Sequence, residues 1–120
     1  MEYKLVFSTG YENDLESLQK QFKGDVLLLD EQNDNYYELN FVTLDRLKQE
    51  FDRRYICYVE NNMVILHEIT KENIIRSISE LHKWRFYKQW VPLTQEQIEK
   101  YYYPREKWVY FSVSIPEQFL

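Results

Sequence analysis

Few side chains in this sequence are equipped for covalent or acid–base chemistry. There are two histidines, His67 and His82, and a single cysteine, Cys57. His82 follows Ile78 by four residues, so on a helix it borders the apolar stripe and reads as a packing position. His67 and Cys57 fall on opposite sides of a strand pair, which disfavours a thiol–imidazole couple. Cys57, between Ile56 and Tyr58, reads as a small buried hydrophobe, and one cysteine allows neither an internal disulfide nor a thiolate zinc cluster. The run Asp30-Glu31-Gln32-Asn33-Asp34-Asn35 has the acids and amides of a calcium loop. It lacks glycine at the sixth position, and Phe41 stands at the twelfth in place of a bidentate glutamate. Gly10 and Gly24 make no phosphate-cradling pattern. No cofactor or metal site is therefore expected, and the chain reads as a non-enzyme.

Two segments carry signals of binding. The first is acidic: Glu12 and Asp14 near a helix start, then Asp30, Glu31, Asp34 and Glu38 around a loop, with Tyr36 and Tyr37 beside them. Residues 1–38 hold nine acids and three bases, net −6, whereas residues 39–120 are net +1, so the total of −5 is polarised along the chain. The second runs from Lys83 through Trp84, Arg85, Phe86, Tyr87, Lys88 and Gln89 to Trp90, with Tyr101–Tyr103 and Arg105 beyond. Bases interleaved with aromatics suit stacking and phosphate contact, and Trp84, Arg85 and Trp90 are the candidates for it. The overall acidity opposes nucleic acid as a partner.

The elements that position these residues follow from periodicity. Glu2–Ser8 alternates as a strand, Tyr11–Phe22 has a helical stripe ended by Gly24, and Asp25–Asp30 is a short buried strand. Tyr36–Val42 alternates, and Thr43 caps a helix carrying Leu44, Leu47 and Phe51. Tyr55–Glu60 and Met63–Glu68 form an expected antiparallel hairpin around Asn61-Asn62. Thr70 caps a helix with Ile74, Ile75, Ile78 and Leu81 on one face. Thr94 and Gln97 have capping-box spacing for another, stopped by Pro104, and Trp108–Ile115 alternates clearly. The order predicts one α+β domain over 1–120: a mostly antiparallel sheet of about six strands with three to four helices mainly on one face. The second sheet face, with Tyr36, Met63, Ile65, Trp108 and Tyr110, is too apolar for water alone. Segment 84–103 is expected to fold across it.

With 120 residues, the chain is long enough for one self-sufficient core, and its aromatic content of 18% argues against disorder. No membrane span or secretory start is visible, so a cytoplasmic location and no membrane partner are expected. The absence of alanine, with two glycines and three prolines, fits an AT-rich coding sequence of the kind common in bacterial and phage loci. Together these features point to a non-catalytic inhibitor of the immunity type, monomeric or homodimeric. Its expected partner is a basic toxin domain, such as a nuclease, met through the acidic, tyrosine-bearing patch. The alternative is a small phosphate-ligand or nucleic-acid module built on segment 83–105.

Overall fold

The computed structural model describes residues 2–7, 22–53, 62–102 and 104–115. The expected helix Tyr11–Phe22, except for Phe22, lies outside them, as do the strand of residues 55–60, Cys57 and Asn61. The described elements are strands β1 (Glu2–Phe7), β2 (Phe22–Asp30) and β3 (Asn35–Thr43), helix α1 (Leu44–Arg53), strand β4 (Met63–Leu66), helices α2 (Lys71–Lys83), α3 (Phe86–Gln89) and α4 (Gln95–Tyr101), a 3₁₀ turn at Arg105–Lys107, and strand β5 (Val109–Ser114). The five strands form one sheet in the order β4-β3-β2-β1-β5.

The α+β class is as expected, but the sheet is mixed. Three neighbouring pairs are antiparallel, whereas β4 runs parallel to β3, pairing Asn40 with Met63 through to Thr43 with Leu66. A two-residue turn can only reverse a chain, so alternation within Met63–Leu66 identified a strand without revealing its neighbour. The strand count among the described residues is five, not six. Strand β2 also begins earlier than its apolar run, at Phe22, and its pairing with β3 slips between Lys23 and Val26. Gly24 therefore sits in a strand irregularity instead of ending a helix, a common place for a residue without a side chain.

Period-2 alternation divides the sheet into two faces. Tyr3, Leu5 and Phe7 of β1, Val26 and Leu28 of β2, and Tyr37, Leu39 and Phe41 of β3 point into the larger core. Ile74, Ile78 and Leu81 of α2 and Phe86 of α3 close over them, with Tyr87 and Trp90 packed at the margin. Val6 and Leu27 point the other way, into a smaller core completed by Ile98 of α4, by Tyr102 at its C-terminal cap and by Trp108, with Tyr36 and Leu93 against it. Helices thus cover both faces, which corrects the one-sided arrangement. The aromatic-rich segment divides at Trp90: residues 84–90 belong to the first face, and only Leu93 onward crosses to the second. The crossing is pinned where the Leu93 amide donates to the Tyr36 carbonyl at 2.7 Å.

Helix starts follow the expected caps. The amides of Arg46, Asn73 and Gln97 donate to the hydroxyls of Thr43, Thr70 and Thr94, each at 3.1 Å. The Thr94 amide in turn donates to Gln97 Oε1 at 2.8 Å, completing the capping box. In α1 only Leu47 of the predicted stripe is buried, while Leu44 and Phe51 are exposed.

Candidate functional site

The acidic segment becomes the turn between β2 and β3. Asp30 pairs with Asn35 at its base, and Glu31, Gln32, Asn33 and Asp34 are all exposed. Asp34 takes a positive φ of 53°, a conformation that aspartate tolerates better than most residues. Asp30 itself is only 1% exposed and points back under the turn. Its carboxylate accepts from the Gln32 amide at 3.2 Å and from Asn33 Nδ2 at 2.9 Å. Asp30 is thus a strut that fixes the turn, and the surface charge belongs to Glu31, Asp34 and Glu38.

The two tyrosines part company, as alternation requires. Tyr37 is buried in the larger core, its ring 5.1 Å from Phe86, and burial, then the Asp30 charge, push its hydroxyl pKa up. Tyr36 lies half-buried on the second face, 5.9 Å from the Trp108 ring. Burial also raises the Tyr36 pKa, with Tyr110, Asp34 and Glu31 adding to the rise and Arg105 opposing it. Arg105 stacks its guanidinium 5.1 Å above the Trp108 ring, and the indole N–H of Trp108 donates to the Tyr102 carbonyl at 2.7 Å. A base from the positive part of the sequence therefore reaches the neighbourhood of the acidic turn. Lys4 Nζ lies 3.4 Å from Glu31 Oε1, both partly solvated. Such a pair contributes about 0.2–1 kcal/mol and moderates the local charge. Glu38, half-buried on the second face, accepts from Asn40 Nδ2 at 3.4 Å.

Behind the turn lies a cluster that linear spacing did not reveal. Tyr3 Oη and His82 Nδ1 are 2.9 Å apart in the larger core, joining residues 79 positions apart. The Tyr3 ring touches His82 edge-on at 5.7 Å and Phe86 at 5.6 Å, while Tyr87 flanks His82 at 5.9 Å. Burial pushes the Tyr3 pKa up strongly, helped by Asp30, Tyr87 and Tyr37, and burial pushes the His82 pKa down. Both groups are held neutral and share one hydrogen bond, in which the hydroxyl donates when the imidazole proton sits on Nε2 and accepts when it sits on Nδ1. His82 is buried, as its border position implied. This pair satisfies two polar groups in the larger core.

The aromatic–basic candidates are separated. Trp84 is 71% exposed and Arg85 is exposed with a positive φ of 55°, at the elbow between α2 and α3. The Trp84 amide donates to the Glu80 carbonyl and the Arg85 amide to the His82 carbonyl, so the elbow closes α2 with the left-handed residue that glycine usually supplies. Trp90 instead packs its ring 5.5 Å from Phe86 at the margin of the larger core. Trp84 and Arg85 remain presented together; Trp90 serves packing.

Glu12 and Asp14 lie outside the described residues. Among the described residues no group of three histidine, aspartate, glutamate or cysteine side chains is arranged to hold a metal ion, and no helix is long and apolar enough to cross a membrane. Comparison with protein-family models, with curated proteins and with solved structures returned no match.

Proposed function

We infer that this chain is a non-catalytic binding protein of the immunity type, which neutralises a basic toxin domain by covering its cleft. The observation that carries this reading is the β2–β3 turn. It projects Glu31 and Asp34 into solvent on a backbone already fixed by the buried Asp30 carboxylate. A pre-formed turn loses little conformational freedom on binding, and its charge speeds capture of an oppositely charged partner. Tyr36 and Glu38 continue the surface along β3, and Tyr110 adds a half-exposed ring near Trp108.

The test uses the variant Glu31→Gln, Asp34→Asn, Glu38→Gln, which keeps the side-chain shapes and leaves Asp30 in place. Candidate partners are basic domains encoded beside the gene, purified in complex with the chain. Association measured by stopped flow at several ionic strengths is expected to slow by at least about tenfold in the triple variant at low salt, with a weaker salt dependence. An unchanged association rate and salt slope would remove the turn from the interface.

A second reading is favoured by one observation, the pairing of exposed Trp84 with Arg85 at a conformation that costs an L-residue about 1–2 kcal/mol. On that reading the elbow stacks on and grips a phosphate-bearing ligand. Tryptophan fluorescence titrated with nucleotides and short oligonucleotides at low salt distinguishes it, because the response should vanish in Trp84→Phe. No response in the parent protein dismisses it.

A further inference from the structure

The last strand of the sheet lacks the features by which an outermost strand ordinarily avoids pairing with another chain. Among the described residues strand β5 ends the strand order, and its register with β1 runs unbroken from Glu2–Ser114 to Phe7–Val109. From Trp108 to Ile115 it has no charged residue and no proline, and four of its six strand residues are Val, Tyr or Phe. Edge strands in natural proteins are commonly blunted by a lysine, a proline, a bulge or shortness. Here β4, at the opposite end of the order, is short with four residues, whereas β5 has six and no bulge.

We propose that β5 pairs antiparallel with β5 of a second copy of this chain, joining two five-stranded sheets across a two-fold axis near Ser112. Residues directly opposite in such a ladder share a face, so the axis at Ser112 sets Tyr110 against the second copy's Ser114. Val109, Phe111 and Val113 then continue one apolar face across the junction, while Tyr110, Ser112 and Ser114 continue the other. The charges at the two ends of the strand choose the direction. Arg105 and Lys107 precede β5, and at its far end the exposed Glu2 carboxylate accepts from Ser114 Oγ at 3.0 Å. An antiparallel pair brings each basic end toward the acidic end of its partner, whereas a parallel pair would bring like ends together. A contact that matches a patch with itself is the usual basis of a closed two-fold dimer.

Because the strand is short, the expected association is weak, and sedimentation velocity from about 5 to 500 µM is the appropriate window. The expected result is a concentration-dependent shift from monomer to dimer and no further growth. Ser112 is exposed, so Ser112→Lys leaves the monomer fold intact, as judged by circular dichroism and melting temperature. It places two like charges at the axis and should weaken dimerisation by at least about tenfold. Ser112→Val, a better strand former, should keep the dimer or tighten it. A chain that stays monomeric throughout overturns the proposal, leaving β5 to another partner or to none. A dimer equally stable in Ser112→Lys overturns it too, because association would then run through another surface. Neither outcome bears on the acidic turn, which is tested separately by its own triple variant.

Discussion

Tyr3 and His82 illustrate how much a buried polar pair depends on both members. Removing the tyrosine hydroxyl leaves Nδ1 of a buried imidazole without its partner, so Tyr3→Phe should lower unfolding free energy by about 1–3 kcal/mol in urea titration. The same pair makes stability depend on pH. His82 has a lowered pKa in the fold, so between that value and the ordinary value of about 6.5 the unfolded chain binds more protons. Its contribution is therefore fully present above about pH 6.5 and is lost as pH falls through that window. Tyr3 and Tyr87 lie against it; burial lowers its pKa most, the positive N-terminal amine adds to the fall, and the Asp30 charge opposes them. Denaturant unfolding at pH 7.5 and at about 5.5 should show the loss, and His82→Gln should flatten it. Asp30 acts at the same scale by tying the turn above it. Asp30→Ala should cost about 1–3 kcal/mol, and a cost near zero would show that the turn needs no strut.

At the scale of elements, the elbow after α2 and the start of α4 make separable demands. Arg85 occupies a left-handed position, so residue choice there should rank by backbone tolerance. Arg85→Gly should match or exceed the parent in melting temperature, and Arg85→Val should fall by about 1–2 kcal/mol. The opposite order would mean that the arginine side chain holds the elbow through contacts of its own. Thr94→Ala removes the hydroxyl of the capping box and should cost about 1 kcal/mol. Because α4 and its C-terminal cap supply Ile98 and Tyr102 to the smaller core, that loss should loosen the environment of Trp108 and shift its fluorescence to the red. These caps were legible beforehand, since a cap is a contact between residues three apart and needs no tertiary information. The parallel placement of β4 was not, because pairing partners are chosen across the sheet.

For the whole molecule, the charge polarity of the sequence is only partly retained in space. Lys4, distant in the chain from the loop of residues 31–34, comes to Glu31, and Arg105 comes close enough to act on Tyr36 beside it. Among the described residues, these two bases offset part of the negative charge around the turn. Among the described residues of this segment, Glu31 and Asp34 are exposed at a fixed turn, with half-buried Tyr36 and Glu38 along the strand. Capture of a basic partner should therefore respond to these few groups, and the triple variant should account for most of the salt sensitivity. If neutralising other exposed acids, such as Glu72 and Glu80 on α2, slowed association equally, capture would depend on overall charge rather than on the turn.

The sequence by itself determined the α+β class, the helix caps and the inward-facing residues of the described strands. Each of these follows from local periodicity or from contacts a few residues apart. Only the tertiary structure decided that Asp30 is a buried strut, that His82 meets Tyr3, and that Trp90 leaves Trp84 for the core. It also decided that the second sheet face is covered from Leu93 onward. All four depend on strands and helices far apart in the chain closing over one another. A residue's neighbours across a sheet are fixed by packing and charge burial over the whole molecule, and spacing along the chain does not encode them.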